Sequence, residues 1–193
     1  MEDITVNLPN SITLARLFCV PVVVWLILVD RMGAAFWVSF AAAISDAIDG
    51  IIAKRFRMET VLGGFLDPIA DKALLVCVYI ALGYEGYLPE WVVILVVFRD
   101  ALIIGGALLF HTLTQSLSMK PLMISKINTT AQLFLAMLVL ASEAFALNDS
   151  PVREIMIYIV AATTFASGFA YVVGWTRLAS EMEQADGHSE DQN

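Results

Sequence analysis

The chain has 193 residues, 59% of them hydrophobic and only 16% charged, whereas a soluble domain carries about a quarter charged residues and under half apolar ones. That balance excludes a water-soluble enzyme and a disordered tail protein; it points to one membrane-embedded domain, long enough for about six spans of roughly 20 residues. The formal charge of −8 comes from the ends: without Glu2, Asp3 and the five acids between Glu181 and Asp191, 12 acidic residues stand against 11 basic ones, and no basic face offers itself to nucleic acid.

The N-terminus, Met-Glu-Asp-Ile-Thr-Val, lacks the basic region of a signal peptide and the Arg/Ser richness of a transit sequence, so the first apolar segment reads as a retained span. Apolar segments then fall at 11–29, 34–53, 61–84, 90–110, 122–147 and 153–177. The breaks are Asp30-Arg31-Met32-Gly33, Lys54 to Arg57, Gly86 to Pro89, the polar stretch His111 to Pro121, and Asn148 to Pro151, all turn or polar signals. The expected fold is all-α and polytopic, with six transmembrane helices. Residues 1–178 form the membrane domain, and 179–193 an acidic, disordered cytoplasmic tail. With the N-terminus inside, the cytoplasmic loops hold Lys54, Arg55, Arg57, Lys120 and Lys126, and the outer loops only Arg31 and Arg153; this favours both termini on the cytoplasmic side, as in a bacterial cytoplasmic membrane. Cys19 and Cys77 read as buried free thiols. Trp25, Trp37, Trp91 and Trp175 read as interface anchors.

Charges inside the spans carry more information. Arg16, Asp46, Asp49, Asp67, Asp71, Lys72, Arg99 and Asp100 all fall in or beside apolar segments. Each costs a few kcal/mol against lipid, so each must face a polar cavity, a partner or an ion.

Asp46 and Asp49 are three apart, and Asp67 and Asp71 four apart, so each pair shares a helix face. A short basic loop joins the two segments, which makes them antiparallel neighbours whose pairs can converge. Four carboxylates in one low-dielectric place need protonation or cations. Oxygen ligands without His or Cys favour Mg²⁺ or Mn²⁺, and four carboxylates can hold two such ions, the arrangement that clamps a phosphoryl group. The small residues Gly50, Ala53 and Gly63 leave room for a nucleotide, and Lys54 with Arg55 can meet phosphate charge. The spacing also admits pairing with local bases, or proton or sodium transport through the carboxylates.

The stretch resembles the signature of the CDP-alcohol phosphatidyltransferases, Asp-x2-Asp-Gly-x2-Ala-Arg-x8-Gly-x3-Asp-x3-Asp. Asp46, Asp49, Gly50, Ala53, Gly63, Asp67 and Asp71 match without a gap, and Lys54 stands where Arg is usual, keeping the charge but losing bidentate geometry. Leu8 to Arg16 and Leu66 to Lys72 resemble the phosphatidylglycerophosphate synthase and cardiolipin synthase branch. Arg99 to Ile104 and Ile124 to Gln132 look closer to the CMP-forming cardiolipin synthases.

The resemblance implies a six-helix membrane fold, a homodimer, and two divalent metals, Mg²⁺ or Mn²⁺, on Asp46, Asp49, Asp67 and Asp71, with Asp71 as general base. It implies CDP against Gly50, Ala53 and Gly63, with Lys54 near the diphosphate. The expected reaction joins CDP-diacylglycerol and phosphatidylglycerol to give cardiolipin and CMP; glycerol 3-phosphate or another small alcohol is the alternative acceptor, and ion-coupled transport the alternative of another class. Arg16, Arg99, Lys126 and Asn128 are acceptor candidates, with a salt bridge to Asp100 or to a metal-site acid as the competing role for Arg99. Lys126 and Asn128 cannot form one dense clamp, since two helical residues turn by about 200°.

Overall fold

The computed structural model describes the backbone of residues 8–56, 61–114, 123–147 and 150–190, and side chains over 15–45, 72–106, 123–147 and 151–176. The described residues form α1 (Leu8–Leu28), α2 (Met32–Phe56), α3 (Val61–Tyr84), α4 (Glu90–Thr114), α5 (Met123–Phe145) and α6 (Ser150–Glu190), with no strand among them. Each helix coincides with one of the six apolar segments. The difference is at the end: α6 passes position 178 and stays helical to Glu190, where an irregular tail was expected. Leu178, Ala179, Glu181, Met182 and Glu183 are strong helix formers, so α6 continues after hydropathy has fallen.

Two tight turns reverse the chain at one end of the bundle. Asp30 sits at φ 56°, with Asp30 N bonded to Ile27 O at 3.0 Å and Arg31 N to Leu26 O at 2.8 Å. Gly86, at φ 79°, repeats the pattern: its own N bonds to Gly83 O and Tyr87 N to Leu82 O. These are Schellman caps, with Asp30 tolerating a left-handed geometry that Gly86 adopts freely. Tyr87 Oη donates to Asp30 Oδ1 at 3.3 Å and ties the two turns together.

α1 packs on α2 and α3, α2 on α5, α5 on α6, α6 on α4, and α4 on α3. The helices therefore close a ring in the order α1–α2–α5–α6–α4–α3. α3 also touches α5, and this contact divides the interior into two halves. Among the described residues α2 makes its main contacts with α1 and α5, and α3 with α1 and α4, while both line one cavity.

Toward the end with the tight turns the interior is an apolar plug that includes Ile27, Leu82, Leu88, Val92 and Val139. Toward the other end it is polar, holding Arg16, Arg99, Asp100, Asn128, Gln132 and Ser167. The outside is the reverse: Phe18, Ile94, Phe98, Phe134, Phe165 and Phe169 are exposed. Polar inside and aromatic outside is the pattern of a bundle solvated by lipid. Met123–Phe145 and Pro151–Thr176 are long and apolar enough to cross a bilayer, and Ala15–Leu28, Met32–Ser45 and Lys72–Tyr84 are shorter apolar stretches.

Trp25, Trp37 and Trp91 are exposed near the end with the tight turns, as interface anchors are. Trp175 differs, because its ring lies over Gly106 of α4, where any Cβ would overlap it. A residue expected as an anchor is thus a packing element between α4 and α6.

Candidate active site

The polar half of the ring, between α3, α4, α5 and α6, is organised by Asp100. Its Oδ1 accepts from Lys72 Nζ of α3 at 2.9 Å and from Arg99 Nη1 at 2.6 Å. Both Arg99 and Asp100 are about 2% exposed, so the guanidinium needs further acceptors. Arg99 Nη2 donates to Ser125 Oγ of α5 at 2.7 Å, and Nε and Nη2 donate to Ser167 Oγ of α6. Lys72 Nζ also reaches Thr129 Oγ1 at 3.4 Å. One carboxylate and three hydroxyls therefore tie two cations into four helices. Gly168 of α6 lies beside this side chain, and a Cβ there would meet Arg99 Cγ at 3.6 Å, an ordinary van der Waals contact.

A second polar layer lies one turn deeper. Asn128 Oδ1 accepts from Thr163 Oγ1 at 2.9 Å and Thr164 Oγ1 at 2.8 Å. Gln132 Nε2 donates to Thr164 Oγ1 at 3.4 Å, and Tyr79 Oη donates to the Gln132 carbonyl at 3.0 Å. Asn128 is fully buried while Lys126 is exposed, so the two acceptor candidates part onto different faces, as the helical period requires. Arg99 sits inside the polar half but bonded to Asp100, the competing role considered for it. Ser167, Thr163, Thr164 and Tyr79 were not singled out in the sequence. Their signal was available for α6: Thr163, Thr164 and Ser167 interrupt an otherwise apolar run at spacings that share one face.

The other half of the ring holds a cavity of about 130 Å³ between α1, α2, α3 and α5. α2 contributes Ser39, Ala42 and Ala43, and α3 contributes Leu74, Leu75 and Val78. Helical register carries both walls onward. Seven residues after Ser39, Ala42 and Ala43 come Asp46, Asp49 and Gly50; seven before Leu74, Leu75 and Val78 come Asp67, Pro68 and Asp71. Seven residues are nearly two turns, with a drift of about 20°. The four aspartate positions therefore lie on the two faces that wall the cavity, toward the end where α2 and α3 are joined. The side chains of Asp46, Asp49, Gly50, Ala53, Lys54, Gly63, Asp67 and Asp71 lie outside the described residues. Among the described residues no group of three or more His, Cys, Asp or Glu could hold a metal. The donor set on the two faces fits hard divalent cations, being four carboxylates at helical spacing with no imidazole or thiolate among them.

A helical bundle with buried cations and an apolar exterior is that of a membrane protein. The model of the family described as CDP-alcohol phosphatidyltransferase matches residues 6–166, and the chain belongs to that family. It is 32% identical over 192 residues to the Oryza sativa CDP-diacylglycerol–glycerol-3-phosphate 3-phosphatidyltransferase 1, chloroplastic, covering 89% of this chain and 58% of that protein. It is 32% identical over 181 residues to the Rattus norvegicus cardiolipin synthase (CMP-forming), covering 86% of this chain and 60% of that one. A Rickettsia typhi CDP-diacylglycerol–glycerol-3-phosphate 3-phosphatidyltransferase is 33% identical over 172 residues, covering 86% of this chain and 94% of its own length. The chain thus spans about three-fifths of the rice and rat proteins and nearly all of the rickettsial one.

Proposed function

We propose that the chain transfers the phosphatidyl group of CDP-diacylglycerol to phosphatidylglycerol, giving cardiolipin and CMP. The observation that carries the choice of acceptor is the charge of the buried cluster. Lys72 and Arg99 share Asp100, so the described groups there hold one net positive charge. A monoanionic phosphodiester is balanced by that charge, whereas a dianion in a low-dielectric site needs more. Lys126, which could have added a second charge, faces outward.

Asp46, Asp49, Asp67 and Asp71 would hold two divalent cations, Mg²⁺ or Mn²⁺. When bound, such ions neutralise phosphate charge and lower the pKa of a hydroxyl. Asp71 accepts the proton of the acceptor hydroxyl. The acceptor oxygen bonds to the phosphorus that carries diacylglycerol, and the bond from that phosphorus to CMP breaks. Gly50, Ala53 and Gly63 leave space for the CDP moiety, and Lys54 meets its diphosphate. All six helices cross the membrane with both termini on the cytoplasmic side, supported by the Lys/Arg bias of the loops. The assembly is a homodimer, the state that the family resemblance implies.

One observation favours glycerol 3-phosphate as acceptor: the rickettsial relative whose length this chain nearly matches is named for it. The test is purified protein with labelled CDP-diacylglycerol and either acceptor, followed by lipid identification. A four-acyl product with phosphatidylglycerol, and poor use of glycerol 3-phosphate, is expected. Efficient formation of phosphatidylglycerophosphate without a four-acyl lipid overturns the choice of acceptor. Ion flux without any release of CMP overturns the transferase reading itself.

A further inference from the structure

We infer that Lys72 is the residue that meets the anionic oxygen of the acceptor's phosphate group, while the Arg99–Asp100 pair holds its ammonium group in place. The inference rests on the transferase reading above and deepens it by naming the contact. Arg99, an acceptor candidate from the sequence, is already committed to the fold. A guanidinium carries five N–H groups. Nε donates to Ser167, Nη2 to Ser167 and to Ser125, and Nη1 to Asp100, so four of the five are engaged inside the bundle. Exposure points the same way. Arg99 is 2% exposed and Arg16 3%, whereas the Lys72 side chain is 22% exposed. Lys126 is exposed but faces outward. The Lys72 ammonium has three N–H groups on a flexible stem, and it shares Asp100 Oδ1 with Arg99. One carboxylate divided between two cations leaves one positive charge, and the more exposed and more pliant cation is the one that offers it to a ligand.

Place supports the same assignment. Lys72 stands where α3 meets α5, the contact that divides the interior. Its α5 partner Thr129, 3.4 Å from Nζ, also lines the cavity on the aspartate side of that divide. Lys72 follows Asp71 directly, so the two positions differ by only about 1.5 Å of rise and about 100° of turn. An acceptor with its phosphate on Lys72 and its reacting hydroxyl at the Asp71 position carries those two groups a few bonds apart. A glycerol with phosphate at one end and a free hydroxyl at the other has that form, and an uncharged alcohol does not. Lys72 therefore selects phosphate-bearing polyols over neutral alcohols.

The experiment has two arms. In the first, Lys72→Met, Lys72→Arg and the unsubstituted protein are assayed for CMP release in mixed micelles, with phosphatidylglycerol or glycerol 3-phosphate as acceptor. Loss of a charge-assisted hydrogen bond raises the acceptor KM of Lys72→Met by roughly tenfold or more, while the CDP-diacylglycerol KM stays put and Lys72→Arg regains most of the loss. A lysine with a merely structural role moves both KM values or neither, and either result overturns the inference. The second arm uses the unsubstituted protein and so does not depend on a variant that folds. In phosphatidylcholine nanodiscs it is treated with acetic anhydride, and lysine acetylation is read by mass spectrometry with and without phosphatidylglycerol in the disc or glycerol 3-phosphate in the buffer. Acetylation of Lys72 slows severalfold when the acceptor is present, and that of Lys126 does not change. Equal acetylation of Lys72 with and without either acceptor overturns the inference. Protection by one acceptor alone supports Lys72 and identifies the acceptor. Protection of Lys72 with no release of CMP keeps the anion site and removes the reaction, so the two readings fail separately.

Discussion

Replacing Asp100 by Asn tests the charge balance of the interior. Asp100 Oδ1 is bonded to Lys72 Nζ at 2.9 Å and to Arg99 Nη1 at 2.6 Å, with Asp100 and Arg99 about 2% exposed and Lys72 22%. The amide keeps the shape and removes the only carboxylate that these two bonds share. Breaking a buried ion pair from one side costs about 3–5 kcal/mol. Lys72 is partly exposed and can turn away, so the lower part of that range applies, about 3 kcal/mol. At about 2–4 °C per kcal/mol for a chain of this size, Tm falls by roughly 6–12 °C. The assay is thermal unfolding in detergent micelles, followed by tryptophan fluorescence. The double substitution Asp100→Asn with Lys72→Met leaves Arg99 on Ser125 and Ser167 as the lone cation and regains part of the loss. A fall of less than about 3 °C for Asp100→Asn, equivalent to about 1 kcal/mol, refutes the view that Asp100 holds the two cations in place.

Gly106→Ala drives a methyl group into the Trp175 ring and destabilises by about 1–3 kcal/mol; Trp175→Ala in the same chain restores most of it, and equal stability of Gly106→Ala and the unsubstituted protein refutes the close approach. Burial, with the Asp30 carboxylate beside it, raises the Tyr87 phenol above its ordinary value of 10.0. Because the neutral phenol is favoured in the folded state, its contribution is complete below that value and lost as pH rises through the higher folded value. The alkaline fall of Tm is therefore smaller in Tyr87→Phe, and superimposable profiles refute the coupling. Chelation with EDTA abolishes CMP release, and Asp67→Asn weakens Mn²⁺ binding read directly by electron paramagnetic resonance; full turnover in excess EDTA or undiminished binding counts against the two-metal site.

The number and limits of the helices were legible because Pro, Gly and charge mark the breaks, and the last helix overran its apolar segment because helix propensity outlasts hydropathy at Leu178 to Glu183. Neighbours were harder. A helix that is apolar on most of its circumference does not announce which face meets which partner, so the contact of α2 with α5 could not be anticipated from the short loop between α2 and α3. The separation of Lys126 from Asn128 was readable, since it depends only on helical period. The bond from Arg99 to Ser167 joins positions 68 apart, and no local pattern encodes that distance. What the sequence does offer there is compositional: hydroxyls spaced along one face of an apolar helix must have a use in a medium without water. The aspartate motif was legible at once because its chemistry is written in consecutive turns of two helices.

The hydroxyl-rich seam between α5 and α6 also bears on how the protein comes apart. A helix that lies in lipid satisfies its own backbone there, so denaturation in a bilayer is a parting of intact rods and not a melting of them. Asn128, Gln132, Thr163 and Thr164 then exchange one set of partners for another, and such exchanges between membrane helices are worth only about 0.6 kcal/mol on average. The protein's cohesion is therefore shared thinly across many side-chain contacts, and circular dichroism should stay nearly constant through a transition that tryptophan emission records in full.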